Sequence, residues 1–217
     1  MKQTIISTLS NREPADEFRL TVAALQSLGA VYQKCPGWSD VAEGRCVQLS
    51  SAVEVVRENK YGERDIVLVM DDDMAIQPSD VQELINEARH SGIACAAVYP
   101  TAEVKEQRGR IAGCQLKGVP GRWLTGLGCL AIPVPALLEL ERESEKFELR
   151  GASITEYTWA CAERGEWYSE DYRLCLRLGG VRLLPIPCGH KKPIVLWPDT
   201  ETLEEVRQIN AAASNGG

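Results

Sequence analysis

Apolar positions recur along this chain with two periods, one near 2 and one near 3.6, and the switches between them outline the elements. Residues 3 to 9, QTIISTL, form the first run of strand type. After the polar stretch SNREPAD, Phe18, Val22, Leu25 and Leu28 fall on one helical face, and Gly29 is placed to stop that helix. A short strand is expected around RCVQL at 45 to 49. A second helix then follows over SSAVEVVREN, with Ser50 or Ser51 accepting from the free amides of its first turn. Residues 66 to 70, IVLVM, read as a buried strand. Beyond it, Val81, Leu84, Ile85 and Ala88 recur at helical spacing, with Ser79 as a cap and Asp80 in the first turn. IACAAVYP, at 93 to 100, is another strand, closed by a proline.

Residues 101 to 122 carry charge and glycine without a clear period and are expected to form a loop or weak hairpin able to cover a site. From 123, WLTGLGCLAIPVPALLEL predicts a glycine-spaced turn, a short strand and a helix begun near Pro135. Helices are also expected over 153 to 164 and over SEDYRLCLRL, the latter with Glu170 and Asp171 in its first turn and Gly179 at its end. VRLLPIP is a last strand. The tail carries an amphipathic helix with Leu203, Val206 and Ile209, and AAASNGG is expected to fray. Strands alternating with helices through residue 100 imply the α/β class, with a mostly parallel central sheet covered by helices on both faces. Ligands of such sheets bind at the carboxyl ends of the strands.

A hydrophobic content of 44% with 25% charged residues suits one globular domain, and no window approaches the ~20 apolar residues of a membrane span. The opening MKQTIISTLSNREP has too short an apolar core for a secretion signal, so a cytoplasmic address is expected, in a bacterial cell or a phage-infected host. The eight cysteines are scattered without a C-x-x-C pair, which argues against a zinc site or a disulfide framework and for buried thiols. A net charge of −7 argues against a broad nucleic-acid surface. Locally, Lys105, Arg108, Arg110, Lys117 and Arg122 leave a basic groove open.

The IVLVM strand ends in Asp71, Asp72 and Asp73. Adjacent carboxylates repel one another unless a positive charge sits among them, and a divalent cation is the candidate. If strand geometry persists, Asp71 and Asp73 point to one side, where they can share the metal, and Asp72 points to the other. The alternative is a solvated acidic turn.

Four separated pieces resemble one family across nearly the whole chain. They are the first strand with its Asn11 and Arg12 loop, the DDD at a strand end, the TGLG segment, and the SEDYRLCLRL helix followed by Gly189 and His190. Together they are similar to a glycosyltransferase of the GT-A fold, close to the family 2 type. The resemblance implies a single Rossmann-like domain over 1–199, with 1–100 as the nucleotide-binding half and 101–199 as the acceptor and catalytic half, then a helix and frayed tail over 200–217. It implies metal-dependent, inverting transfer of a sugar from a nucleoside diphosphate sugar, UDP being the family's commonest donor, to an acceptor hydroxyl.

By the same resemblance Asp73 is a direct metal ligand, Asp71 binds directly or through water, His190 completes the site and Asp72 lies near the ribose. Imidazole favours Mn²⁺ over Mg²⁺. Asp171, beside Glu170, takes the proton of the attacking hydroxyl. Thr8, Ser10, Asn11 and Arg12 would touch the nucleobase and ribose, and Lys191 with Lys192 the pyrophosphate. The segment 123 to 128, with Thr125 and Gly126, would floor the donor and acceptor pocket, its glycines admitting a ligand to the backbone and Trp123 or Trp167 stacking on a ring. One departure stands out: relatives carry Ala-Arg-Asn at the helix before the acids, where this chain is read as having serines, and base recognition is left open. The chain lacks the membrane-bound extension of polymer-making relatives, so processive synthesis is not expected. The acceptor is a glycan, a small molecule or a hydroxylated base of DNA. Alternatives are a catalytically lapsed nucleotide-sugar binding protein and a nucleotidyltransferase, although STLSNREP lacks the glycine-rich phosphate loop of the latter. The oligomeric state is open.

Overall fold

A computed structural model describes residues 3–10, 13–36, 40–100, 113–163, 166–191, 195–196, 198 and 200–215. The chain opens with β1 (Thr4–Ser10), α1 (Asp16–Ser27), β2 (Val31–Pro36), α2 (Val41–Glu58), β3 (Ile66–Met70), β4 (Met74–Ala75), α3 (Pro78–Ser91) and β5 (Cys95–Val98). It continues through β6 (Gly113–Gln115), β7 (Trp123–Thr125), β8 (Cys129–Pro133), α4 (Val134–Arg142), β9 (Lys146–Leu149) and β10 (Ala152–Thr155). The last elements are β11 (Cys161–Glu163), β12 (Glu166–Tyr168), α5 (Glu170–Arg177), β13 (Arg182–Pro187), β14 (Gly189–Lys191), β15 (Val195–Leu196) and α6 (Thr200–Asn215).

Six strands make the central sheet in the order β13-β5-β8-β3-β1-β2. Five run one way and β8 runs against its neighbours β3 and β5. This is the mostly parallel α/β architecture expected from the alternating elements. Because β8 is reversed, its first residue Cys129 lies opposite Met70, the last residue of β3. One sheet edge therefore receives the segments after β3, β5 and β13 together with the segment before β8.

Period-2 alternation in strands buried on both faces divides the core. Val67 and Val69 of β3 pack with Leu49, Val53 and Val56 of α2, Leu137 and Leu140 of α4, Leu174 of α5 and Val206 of α6. Ile66, Leu68 and Met70 pack on the opposite face with Phe18, Val22 and Leu25 of α1 and Leu84 and Ile85 of α3. Each face buries enough aliphatic surface, at about 25 cal/mol per Å², to hold the strand ends of β3, β5 and β13 in fixed positions.

Several expectations are corrected. RCVQL is not a strand: α2 begins at Val41, where the Asp40 side chain accepts from the Glu43 amide at 2.9 Å. Ser50 lies within that helix and accepts from the Thr155 amide at 3.0 Å, tying α2 to β10 instead of capping. The strand beside β1 is β2, an edge strand whose partly exposed VYQKCP hides its register. Leu28 is 72% exposed, and Thr21 takes the fourth inward position of α1, donating to the Ile76 carbonyl at 2.6 Å. Pro78 opens α3, and its N-cap Gln77 makes no side-chain bond, so Ser79 is not the cap. The helix expected over 153 to 164 is replaced by β10 and β11, each paired in a two-stranded sheet. The helix expected in the tail is α6, which runs to Asn215, with Asn210 donating to the Leu183 carbonyl of β13 at 2.8 Å. No helix of the described residues is long and apolar enough to cross a membrane.

Candidate active site

Strand geometry ends at Met70, and the acids enter a turn in which the Met74 amide donates to the Asp71 carbonyl at 3.2 Å. The Asp71 side chain reaches Arg45 of α2, and the Asp72 side chain lies near Tyr32 of β2. The Asp71 amide donates to the Gly128 carbonyl at 2.9 Å, which joins the acidic turn to the glycine segment before β8. The Asp72 carbonyl accepts from the Ala15 amide at 2.8 Å and so fixes the start of α1. Asp72 itself is 5% exposed, and its carboxylate acts on the Tyr32 phenol, whose pKa is raised first by burial.

Each flanking acid has a different partner. Arg45, on the second turn of α2, places Nη2 2.6 Å from Asp71 Oδ1 and donates to Oδ2 at 2.7 Å. Its Nη1 donates to Gln48 Oε1 at 3.0 Å, and Gln48 Nε2 donates to the Ser7 carbonyl of β1 at 2.7 Å. The guanidinium is thus buried and locked from two sides. Burial works to strip its proton, but the Asp71 and Asp171 carboxylates overcome that and hold its pKa above the ordinary value. Asp73 meets His190, with Nε2 3.1 Å from Oδ2. The backbone makes this pairing: β14 runs antiparallel to β4, with His190 opposite Met74.

Asp171 approaches from the amino terminus of α5, where Ser169 caps the Tyr172 amide at 3.4 Å. Burial raises its pKa to about 6, against the pull of Arg45 and with added repulsion from Asp71 and Glu170. Its Oδ1 is buried without a hydrogen-bond partner among the described residues. Glu170 is half-buried beside it. Thr125 is buried at the end of β7, and its carbonyl accepts from Cys175 Sγ of α5 at 3.2 Å.

Tyr99, just beyond β5, occupies the centre of this edge. A Cβ built on Gly126 would lie 1.6 Å from its hydroxyl and 3.3 Å from Asp171 Oδ2, and one on Gly128 would lie 2.9 Å from Met74 Sδ and 3.2 Å from Tyr99 Cε1. The two glycines therefore admit the protein's own side chains to the backbone. The phenol accepts a hydrogen bond from the Gly128 amide, and its ring stands edge-on to His190 at 6.1 Å. Burial, with Asp171 and Asp71 close by, pushes its pKa well above the ordinary value, so the hydroxyl keeps its proton.

Of the residues singled out from sequence, Asp71, Asp72, Asp73, Thr125, Gly126, Glu170, Asp171 and His190 gather at this one edge. Thr8 is fully buried within β1, close to Tyr32. Ser10 ends β1 and Lys191 ends β14, and their side chains, with Asn11, Arg12 and Lys192, lie outside the described residues. Trp123 is a core residue, 4% exposed and bridged to Val181, so of the two tryptophans singled out Trp167, 71% exposed, is the one open for stacking. Of the basic segment, Lys117 pairs with Glu166 and Arg122 donates to the Gly180 carbonyl at 3.3 Å, while Lys105, Arg108 and Arg110 lie outside the described residues. Arg45, Gln48 and Tyr99 were missed. A signal for the first two existed: Asp40 and Glu43 have capping spacing, which starts the helix early enough to contain them. Nothing in sequence marked Tyr99, whose role arises from strand order.

For the divalent cation implied by the resemblance, Asp73 and His190 offer a mixed oxygen and nitrogen donor pair that suits Mn²⁺. Ligands about 2.1 Å from an ion stand about 3 Å apart when adjacent, as these two atoms do. Among the described residues no set of three or more His, Cys, Asp or Glu side chains gathers tightly enough to hold a metal.

No family model matches the chain, and no curated protein matches it. Among solved structures, A197 from STIV aligns with a TM-score of 0.57 at 13% identity, covering 92% of this chain and 95% of that one, which shows a shared fold. A 4-diphosphocytidyl-2C-methyl-D-erythritol synthase aligns at 0.45 and 12% identity, over 96% of this chain and 98% of its own. A glycosyltransferase involved in the glycosylation of the major capsid of PBCV-1 aligns at 0.35 and 11% identity, over 64% and 63%. The last two overlap too loosely to carry an argument.

Proposed function

We propose that the chain is a GT-A-type glycosyltransferase that moves a sugar from a nucleoside diphosphate sugar, with UDP as the leading donor, to an acceptor hydroxyl with inversion. The observation that carries this reading is Asp171: a carboxyl raised to about 6, with a buried unpartnered Oδ1, set across a glycine-bearing edge from the Asp73 and His190 pair. A base that ionises just below neutral pH is unprotonated at working pH and still accepts a proton readily. In the transfer, the acceptor oxygen bonds to the anomeric carbon as its proton passes to Asp171, and the bond from that carbon to the diphosphate oxygen breaks. Glu170 stands beside the base in the first turn of α5. When bound at the acids after β3, with His190, Mn²⁺ supplies positive charge to the departing diphosphate. Asp72 and the first loop are assigned to the nucleoside, and Lys191 to the pyrophosphate. The acceptor is taken to be a glycan or small molecule. Pairing of Lys117 with Glu166 leaves one less cation for DNA.

The donor is named by thermal shift across nucleotides and nucleotide-sugars with and without Mn²⁺, since a ligand of the folded state alone raises its melting temperature. A Mn²⁺-dependent rise with one diphosphate-sugar is expected. A rise with nucleoside triphosphates, followed by pyrophosphate release, would favour nucleotidyl transfer instead.

A further inference from the structure

Three adjacent acids at a strand end are usually counted together, yet here each is turned to a separate partner. Asp73 faces the imidazole of His190 at 3.1 Å, while one nitrogen of Arg45, Nη2, donates to Asp71 Oδ2 at 2.7 Å and stands 2.6 Å from Oδ1. The Arg45 side chain is 4% exposed and the Asp71 side chain 25% exposed. A charge-assisted bond from one guanidinium nitrogen to a carboxylate at these distances is a strong contact, and a buried guanidinium stripped of its carboxylate is costly. Gln48 fixes the other arm of the guanidinium and is itself fixed to β1 through the Ser7 carbonyl, so Arg45 cannot swing away without breaking contacts inside the core.

The geometry points to a divided acidic triplet: Asp73 and His190 hold the divalent cation, while Asp71 is the counter-ion of Arg45, a positioning residue that supplies the site's second positive charge from the protein itself. This rests on the metal-dependent reading above and narrows it, since Asp71 leaves the ligand set. The pair has a further use. Arg45 offsets Asp71 beside Asp171, so that the proposed base is not confronted by an uncompensated carboxylate.

The test is Mn²⁺ binding followed by electron paramagnetic resonance on the full chain, which needs neither donor nor acceptor. Removing a true ligand, as in D73N or H190A, is expected to weaken binding by about tenfold or more. D71N alone is expected to weaken it as well, because it leaves Arg45 uncompensated near the ion. The double variant R45M/D71N removes both charges and is expected to return to within about threefold of the wild type, a coupling that only paired residues produce. Binding in R45M/D71N as weak as in D71N would overturn the division and make Asp71 a ligand. Absence of Mn²⁺ binding in the wild type, with or without UDP, would instead overturn the metal reading on which the division rests. Should the double variant lose its folded circular dichroism signal, anomalous scattering from Mn²⁺-soaked wild-type crystals decides. A manganese peak bonded to Asp73 and His190, with Asp71 still on Arg45, supports the division, and an Asp71 oxygen bonded to the ion overturns it.

Discussion

Asp171 shows how one side chain's surroundings turn an ordinary acid into a candidate base. Burial outweighs the pull of Arg45 and leaves its pKa at about 6 against an ordinary 3.8. The folded state therefore binds the proton more tightly than the unfolded chain. Stability from this group is complete below about pH 4 and falls as pH rises through about 6, by up to about 3 kcal/mol. D171N is expected to melt with the wild type near pH 4 and above it at pH 8; a wild type that gains stability over this window through this residue, losing it in D171N, would contradict the assignment. Gly126 makes a second prediction at the same scale. Its absent Cβ is 1.6 Å from the Tyr99 hydroxyl, so G126A must displace the phenol. Denaturant unfolding is expected to show a loss of about 1–3 kcal/mol, whereas G62A, at a glycine with nothing within 4 Å, should change stability little.

At the scale of elements, α2 matters most to the site, because its second turn carries Arg45. Its start depends on Asp40, and D40A is expected to cost about 1 kcal/mol in chemical denaturation. The same variant should not weaken Mn²⁺ binding, because a loosened Arg45 takes positive charge away from the ion; a marked loss of binding would contradict the account. This helix also shows what could be read in advance. β3, β5 and β8 were legible because two-sided burial writes continuous apolar runs, β1 and the edge strand β13 from shorter apolar stretches, and α3 and α5 because their stripes are clean. β2 was not, since an edge strand keeps polar residues on view. β10 and β11 read as a helix in sequence because ASITEYTWACAE has no strict alternation, and only the positive φ of Arg150 and Gly151 in the structure marks the turn before them. The acids, Asp171 and His190 were legible as chemistry. Their partners Arg45 and Tyr99 were not, because those contacts follow from strand order and from the reversed β8.

At the scale of the molecule, the sheet order collects four chain segments at one edge, and the charge on the whole chain limits what that edge can meet. With a net charge of −7, a DNA acceptor would have to depend on a local basic patch. Its binding would then fall steeply with salt. The account expects no salt-steep DNA affinity between 50 and 200 mM, conditions under which phosphate contacts lose orders of magnitude, and fluorescence anisotropy with a short duplex checks this. The most direct test of the central claim is the stoichiometry of turnover with the donor that thermal shift selects. With Mn²⁺ present, the wild type is expected to release one nucleoside diphosphate per sugar transferred, with inverted configuration, and D171N is expected to bind the same donor while releasing almost none. Equal turnover by D171N, or pyrophosphate as the released product, would contradict it.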